Sequence, residues 1–303
     1  MQYSQISSII YNYQNKMEAT AKGIVSEKIE ETVEAAEEIV RHPLVKTLAR
    51  FGFYTKGFLF IVIGVLAILV AVGDREGRLA DPTGALATVA QFPLGKIILI
   101  LFVIGAFGHS AWNILRGAAD VDNAGKNWWG ITNRIFAIGV GVFYLYLAWS
   151  AWDLFLTAHV TSENGTVQKT FVSILLAVPM GAILAAAIGV GVIGASIHEC
   201  YSGITGKYQE NFKMYKLQGE KRIIVNILGY FSFVARALIF ALMGYFFISA
   251  ALFYDAQIAV GIDGALLTLS QTYYGKTLLF VTATGLVCHG VLSLYEARYR
   301  RIC

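Results

Sequence analysis

Six long stretches of the chain consist of apolar and small residues without any Asp, Glu, Lys or Arg. They are residues 57–73, 97–115, 135–152, 170–197, 237–254 and 277–295. A helix needs about 20 mostly apolar residues to cross the hydrocarbon core of a bilayer. The pattern therefore predicts six transmembrane helices.

These stretches are apolar on every side rather than along one face. A surface helix of a soluble protein carries a polar side, whereas a helix that is apolar all round needs lipid or other helices around it. The composition agrees, because 56% of the residues are hydrophobic, 15% are charged and the mean hydropathy is +0.60. We therefore predict an all-α membrane protein and exclude a water-soluble one.

The end of the chain repeats its beginning at an offset of 180 residues. This offset places Lys56 on Arg236, Gly64 on Gly244, Gly105 on Gly285 and His109 on His289. A weaker middle copy fits at an offset of 86, which places Gly105 on Gly191. Self-similarity at a fixed period is the signature of a repeated structural unit. We predict three tandem two-helix transmembrane hairpins.

The repeats divide the chain into four parts. These are an N-terminal segment at 1–45, repeat 1 at 46–125, repeat 2 at 126–215 and repeat 3 at 216–303. Each repeat also carries a short segment before its second span, at residues 81–93, 167–179 and 262–273. We expect each of these to form an interfacial helix.

An even number of spans in each repeat gives all three hairpins the same orientation, with both chain ends on one side. Basic residues concentrate on that side: Lys46, Arg50, Lys56, Arg116, Lys126, Arg134, Lys207, Lys213, Lys216, Lys221, Arg222, Arg236, Arg298, Arg300 and Arg301. The opposite side has Arg75, Arg78, Lys96, Lys169 and Lys276. By the positive-inside rule, we expect both termini to be cytoplasmic.

The N-terminal segment has a different character. Between residues 17 and 40, apolar residues recur at helical spacing with glutamates between them. This pattern predicts an amphipathic acidic helix. Its negative charge disfavours adsorption to anionic lipid, so it favours contact with a protein partner or with the basic loops.

The repeated Gly-Ala-Leu before each Gly-Lys, at residues 84–86 and 264–266, and the closing segment 296–301, Glu-Ala-Arg-Tyr-Arg-Arg, carry a family resemblance. Over about 250 residues, from Leu48 to Arg301, the chain resembles the bacterial family called domain of unknown function 1206. The resemblance implies a six-span membrane protein built of three repeats, in a bacterial inner (plasma) or thylakoid-type membrane. It implies no activity, and the acidic segment lies outside it.

One face of the second span in each repeat carries a histidine. In repeats 1 and 3 the face contains Gly105 with His109 and Gly285 with His289, and in repeat 2 it contains Gly191 with His198. Ionisable groups at membrane depth usually face the protein interior. The histidines could bind haem or a metal ion, or could hydrogen-bond to neighbouring helices. We expect the three glycines to allow close helix packing.

Arg116 and Glu296 occupy equivalent positions with opposite charge. They lie on the same helical faces as the histidines, four residues after Trp112 and Leu292 respectively. They could form an ion pair between repeats 1 and 3 at the cytoplasmic rim. They could equally be two solvated side chains that extend to the membrane surface.

The sequence lacks the nucleotide-binding, nucleophile-elbow and metalloprotease motifs, which disfavours an enzyme. It also lacks a basic patch with stacking aromatics, so nucleic acid is not an expected partner. We predict a non-enzymatic scaffold or accessory subunit that binds a protein partner and a lipid or apolar ligand. A haem or metal protein is the first alternative, and a small-solute transporter or channel is the second.

The predicted topology can be tested with a reporter fused after Cys303 that is active only outside the cytoplasm. Because basic residues favour the cytoplasmic side, we expect the reporter to be silent. A fusion within residues 74–78 should be active in the same assay, and the reverse result would overturn the orientation.

Overall fold

The computed structural model describes residues 42–73, 81–121, 127–157, 166–213 and 219–300, with positions 79, 125, 215 and 217. These residues form nine α-helices. They are α1 (Pro43–Val72), α2 (Pro82–Ala90), α3 (Gly95–Ala118), α4 (Trp128–Thr157), α5 (Thr166–Leu176), α6 (Gly181–Thr205), α7 (Glu220–Leu252), α8 (Ile262–Ser270) and α9 (Gly275–Tyr299). The predicted N-terminal acidic helix lies outside the described residues.

The six long helices α1, α3, α4, α6, α7 and α9 are long and apolar enough to cross a membrane. This finding confirms the predicted all-α membrane fold with six spans. Each predicted repeat contributes a long helix, a short helix and a second long helix. The short helices lie close to the predicted positions, but most of α2 is buried, so it packs into the bundle rather than on its surface.

Local sequence explains where these helices start and stop. Pro43 and Pro82 stand in the first turns of α1 and α2, where a missing N–H is tolerated. The Asp81 carboxylate caps α2 by accepting hydrogen bonds from the Gly84 N–H at 2.7 Å and the Thr83 hydroxyl at 2.8 Å. Gly73 ends α1 with φ +86°, a left-handed conformation that glycine adopts without strain.

Extensive packing joins long helices of different repeats: α1 with α9, α3 with α4, and α6 with α7. Small residues set these contacts. A methyl group at Gly57 would lie 2.8 Å from the carbonyl oxygen of Gly290, and one at Gly290 would lie 2.7 Å from that of Gly57. Gly189 and Gly244 form the same reciprocal contact between α6 and α7. The absence of side chains lets the two backbones touch.

Packing within a repeat is uneven. In repeats 1 and 3 the two long helices pack along each other, α1 with α3 and α7 with α9. Among the described residues, α4 and α6 of repeat 2 lack such extensive packing, although the sequence predicts three equivalent hairpins. The short helix α5 packs on α6 and α7 rather than on α4. We call the opening between α4 and α6 the seam.

The three glycines that we expected to allow close packing differ in the same way. A methyl group at Gly105 would collide with Thr55, and one at Gly285 would collide with Ala235. At Gly191, the equivalent position in repeat 2, nothing lies within 4 Å. The expectation that Gly191 packs against a helix is therefore wrong, because its hairpin partner α4 stands away from it.

The same comparison identifies the missing partner of Gly191. Thr55 contacts Gly105, and Ala235 contacts Gly285. Gly57 and Gly141 make equivalent contacts, to Gly290 and Ser110, which aligns α1 with α4. Two residues earlier in each helix, Gly139 of α4 therefore corresponds to Thr55, and so to Ala235. Gly139 also has nothing within 4 Å. The seam thus separates two glycines at the position where the other two repeats are in contact.

Matched substitutions test this arrangement. We expect Gly285→Ala to reduce stability by about 1–3 kcal/mol, because the new methyl group collides with α7. We expect no loss from Gly191→Ala, because open space surrounds it and alanine favours a helix. Thermal unfolding in detergent, followed by circular dichroism, measures both. An equal loss at the two positions would show that α4 packs against α6.

Candidate ligand site in the helix bundle

A cavity of about 450 Å³ lies at the centre of the bundle. All six long helices line it, with Phe60 from α1, His109 from α3, Tyr144 from α4, Glu199 from α6, Phe240 from α7 and His289 from α9. A depression of about 590 Å³ on the outer surface, near Trp149, is lined by apolar and aromatic residues without charge. Of these two, the central cavity is the one that combines charged, polar and aromatic side chains.

An aromatic layer surrounds the middle of this cavity. Phe60, Tyr144 and Phe240 each stand three residues after a small residue that contacts another repeat. These small residues are Gly57, Gly141 and Ala237. One turn closer to the first residues of α1 and α7, Lys56 and Arg236 occupy equivalent positions in these two helices. The repeat therefore arranges the lining in layers, with cations on the side where α1 and α7 begin. We call this side the basic end.

Glu296 joins two cations at the basic end. Its carboxylate lies 3.2 Å from Lys56 Nζ and 2.9 Å from Arg300 Nη1. The three side chains are between 11% and 16% exposed, so solvent screens them little. We call Lys56, Glu296 and Arg300 the charged triad.

The predicted ion pair of Arg116 with Glu296 needs correction. Among the described residues, the cations bound to Glu296 are Lys56 and Arg300. The reason is the order of the helices, since α9 packs on α1, which carries Lys56, while α3 packs on α1 and α4. Arg116 still lines the same cavity.

A second ion pair crosses the equivalent interface between α6 and α7. Arg236 Nη2 lies 2.8 Å from Glu199 Oε1, and the guanidinium also lies over the ring of Phe240 at 5.4 Å. Glu199, Lys56 and Arg236 were not identified as site residues from the sequence. The sequence did contain a sign of their role, because the offset of 180 residues makes Lys56 and Arg236 equivalent.

His109 and His289 both lie inside the bundle, 4% and 1% exposed. The Nδ1 atom of His289 is 2.7 Å from the Ser232 hydroxyl, and its Nε2 atom is 3.4 Å from Arg236 Nη1. His109 instead meets the rings of Phe53 and Tyr144 edge-on. Its Nδ1 atom has no hydrogen-bond partner among the described residues. The two equivalent histidines thus differ in how many hydrogen bonds their ring nitrogens make within the protein.

His198 is not brought together with the other two histidines. It is exposed, and the neighbouring Glu199 lines the cavity in its place. Successive residues of a helix point about 100° apart, so only one of these neighbours can face inward. The described residues contain no group of three His, Cys, Asp or Glu side chains that could hold a metal ion. The hypothesis that all three histidines share one site is therefore wrong.

The N-terminal turns of the three short helices form the opposite end of the cavity. Pro82 of α2, Gln168 of α5 and Ile262 of α8 line it. Burial raises the pKa of Asp263 in the first turn of α8, and the nearby Asp81 acts in the same direction. The cavity thus has carboxyl groups beyond one end and cations at the other.

Comparison with known proteins identifies the family of this chain. The family model described as Domain of Unknown Function (DUF1206) matches residues 51–120 and 231–300. The "Uncharacterized protein YxxB" of Bacillus subtilis (strain 168) is 31% identical over 260 residues, which cover 86% of this chain and 93% of the relative. The chain belongs to the DUF1206 family. No solved structure matches it.

The two segments matched by the DUF1206 model are themselves 180 residues apart, as the internal repeat predicts. They contain the charged triad, both buried histidines and Arg236. The seam-lining helices α4 and α6 of this DUF1206 protein lie outside the matched segments. Neither the family description nor the name of the relative specifies an activity.

The charged triad predicts the effect of Glu296→Gln in this DUF1206 protein. Removal of the carboxylate leaves two nearly buried cations without their shared partner, so we expect a loss of about 3–5 kcal/mol of stability. Thermal unfolding in detergent measures the loss, with the exposed Glu220→Gln as the matched control. The additional substitution Arg300→Gln should restore part of the stability, and an effect no larger than that of the control would contradict a buried triad.

Proposed function

We propose that this DUF1206 protein is a non-enzymatic membrane protein that binds a lipid-like molecule in its central cavity and admits it through the seam. The observation that carries this proposal is the cavity itself, whose lining includes the exposed Phe136 and Phe143 of α4. The proposal develops the predicted apolar-ligand role. A protein partner for the N-terminal acidic segment stays a prediction.

The size and lining of the cavity fit one small ligand. Its volume of about 450 Å³ falls within the range of about 300–1,000 Å³ that is usual for small-molecule sites. Aromatic and aliphatic side chains, including Phe60, Phe240 and Met243, form much of the wall. A hydrocarbon chain can pack against such a wall without leaving polar groups unsatisfied.

The seam supplies a lateral path from the bilayer. Phe136 and Phe143 of α4 line the cavity, yet they remain 48% and 36% exposed. Across the seam, Gly191 is exposed and has open space around it. In a membrane these exposed apolar groups face lipid, so a chain can reach the cavity without crossing water.

Two observations favour binding over the alternative functions. His289 is held by Ser232 and Arg236, which gives it a structural role between α7 and α9 rather than a free axial position for haem. The first turns of the short helices form the far end of the cavity, whereas a transport pathway would need to continue there. Binding is thus the function that the geometry supports best.

A photoactivatable hexadecanol with a diazirine in its chain tests the proposal in phosphatidylcholine vesicles. We expect cross-links at cavity residues such as Phe240 as well as at the lipid-facing Trp149. Gly191→Trp should reduce cavity labelling several-fold, because the indole fills the seam, and should leave labelling of Trp149 unchanged.

Val190→Trp is the matched control, since Val190 is the adjacent residue and its side chain is 61% exposed. It should leave both labels unchanged. Cross-links confined to the outer surface in the wild-type protein would refute the proposed function. Equal cavity labelling in the wild-type protein and Gly191→Trp would refute access through the seam.

A further inference from the structure

We infer that the ligand of the central cavity is an anionic amphiphile, with a carboxylate or phosphate head bound at the basic end by Lys56, Arg300 and His109 and its chain in the aromatic layer. The inference rests on the proposed function and adds the chemical class of the ligand.

The charges of the charged triad do not balance. The charged triad combines two cations with one carboxylate, Glu296, so it carries one excess positive charge. The pair of Arg236 with Glu199 is neutral by itself. In surroundings of low dielectric constant, an excess charge is unfavourable unless a counter-charge accompanies it. An anionic head group provides that counter-charge.

His109 adds a buried imidazole with an unsatisfied nitrogen beside the excess charge. It is 4% exposed, lines the cavity and leaves Nδ1 without a hydrogen-bond partner among the described residues. Buried polar groups are almost always hydrogen-bonded, so an unsatisfied one at a cavity wall indicates a missing partner. As an N–H donor, the imidazole of His109 suits a carboxylate or phosphate oxygen. Its counterpart His289 already contacts Ser232.

The order of the layers matches an amphiphile rather than a free anion. Lys56 at the basic end and Phe60 in the aromatic layer are four residues apart on α1, which is about 6 Å along the helix axis. Beyond the aromatic layer, Met243 and Ile262 continue the apolar wall. A head group at Lys56 therefore places its chain among apolar side chains, with the seam beside it.

Two probes with the same diazirine-bearing chain separate the head group from the chain. Photoactivatable hexadecanoic acid, kept ionised by alkaline buffer, and the corresponding hexadecanol are compared at equal mole fraction in phosphatidylcholine vesicles. We expect the acid to label cavity residues about tenfold more than the alcohol, as one charge-assisted hydrogen bond would provide. Hexadecyl phosphate should compete with the acid, whereas inorganic phosphate should not.

Arg300→Gln and Lys56→Gln each leave Glu296 with one cation, so the interface keeps an ion pair. We expect each to reduce acid labelling to about the level of the alcohol and to leave alcohol labelling intact. The matched control is Arg298→Gln, which removes the same charge from an exposed position two residues from Arg300. The control should keep the preference for the acid.

Each other outcome overturns a defined part of the argument. Equal cavity labelling by acid and alcohol would overturn the anionic head group and leave the proposed function standing. No cavity labelling by either probe would overturn the proposed function itself. Competition by inorganic phosphate alone would identify a site for a free anion, and a preference that survives both Arg300→Gln and Lys56→Gln would remove the charged triad from the site.

Discussion

The close backbone contact between repeats is the constraint on which the rest of this structure depends. Inside a bilayer the hydrophobic effect does not drive helices together, so their association relies on van der Waals contact and on small residues that let backbones approach. Gly57 with Gly290 meets this requirement between repeats 1 and 3, and Gly189 with Gly244 meets it between repeats 2 and 3. These contacts bring helices of different repeats together in pairs, and the pairs surround the central cavity.

Repeat 2 shows what happens when the contact within a repeat is missing. Thr55 meets Gly105 in repeat 1 and Ala235 meets Gly285 in repeat 3, but Gly139 and Gly191 stand apart. Nothing lies within 4 Å of either glycine, whereas the glycines of the interfaces between repeats bring their backbones into contact. The seam thus lies in the one repeat whose two long helices lack this contact.

The charged groups follow the same geometry. The interface of α1 with α9 carries Lys56 and Glu296, and the equivalent interface of α7 with α6 carries Arg236 and Glu199. Ionisable groups at such depth require partners, which both pairs supply. Arg300 gives the first interface an additional positive charge. The repeat therefore concentrates charge at one end of an otherwise apolar cavity, which is the distribution that an anionic amphiphile requires.

Sequence alone determined the class of this protein, because hydropathy depends only on composition along the chain. The apolar runs predicted six spans, and the offset that relates Lys56 to Arg236 predicted the repeated unit. Inward orientation of His109 and His289 was also accessible, since a polar group at membrane depth is unfavourable against lipid.

Tertiary structure decided which helices are neighbours, and the partner of each charge depends on that choice. The equivalence of Arg116 and Glu296 gave no information about whether α9 packs on α3 or on α1, so the identity of the cation beside Glu296 could not be inferred. The register of α6, which turns Glu199 inward and His198 outward, and the separation of Gly139 from Gly191 also arise from packing between segments far apart in sequence. Side-chain periodicity places a residue on a helical face, but only the arrangement of all six helices determines what that face meets.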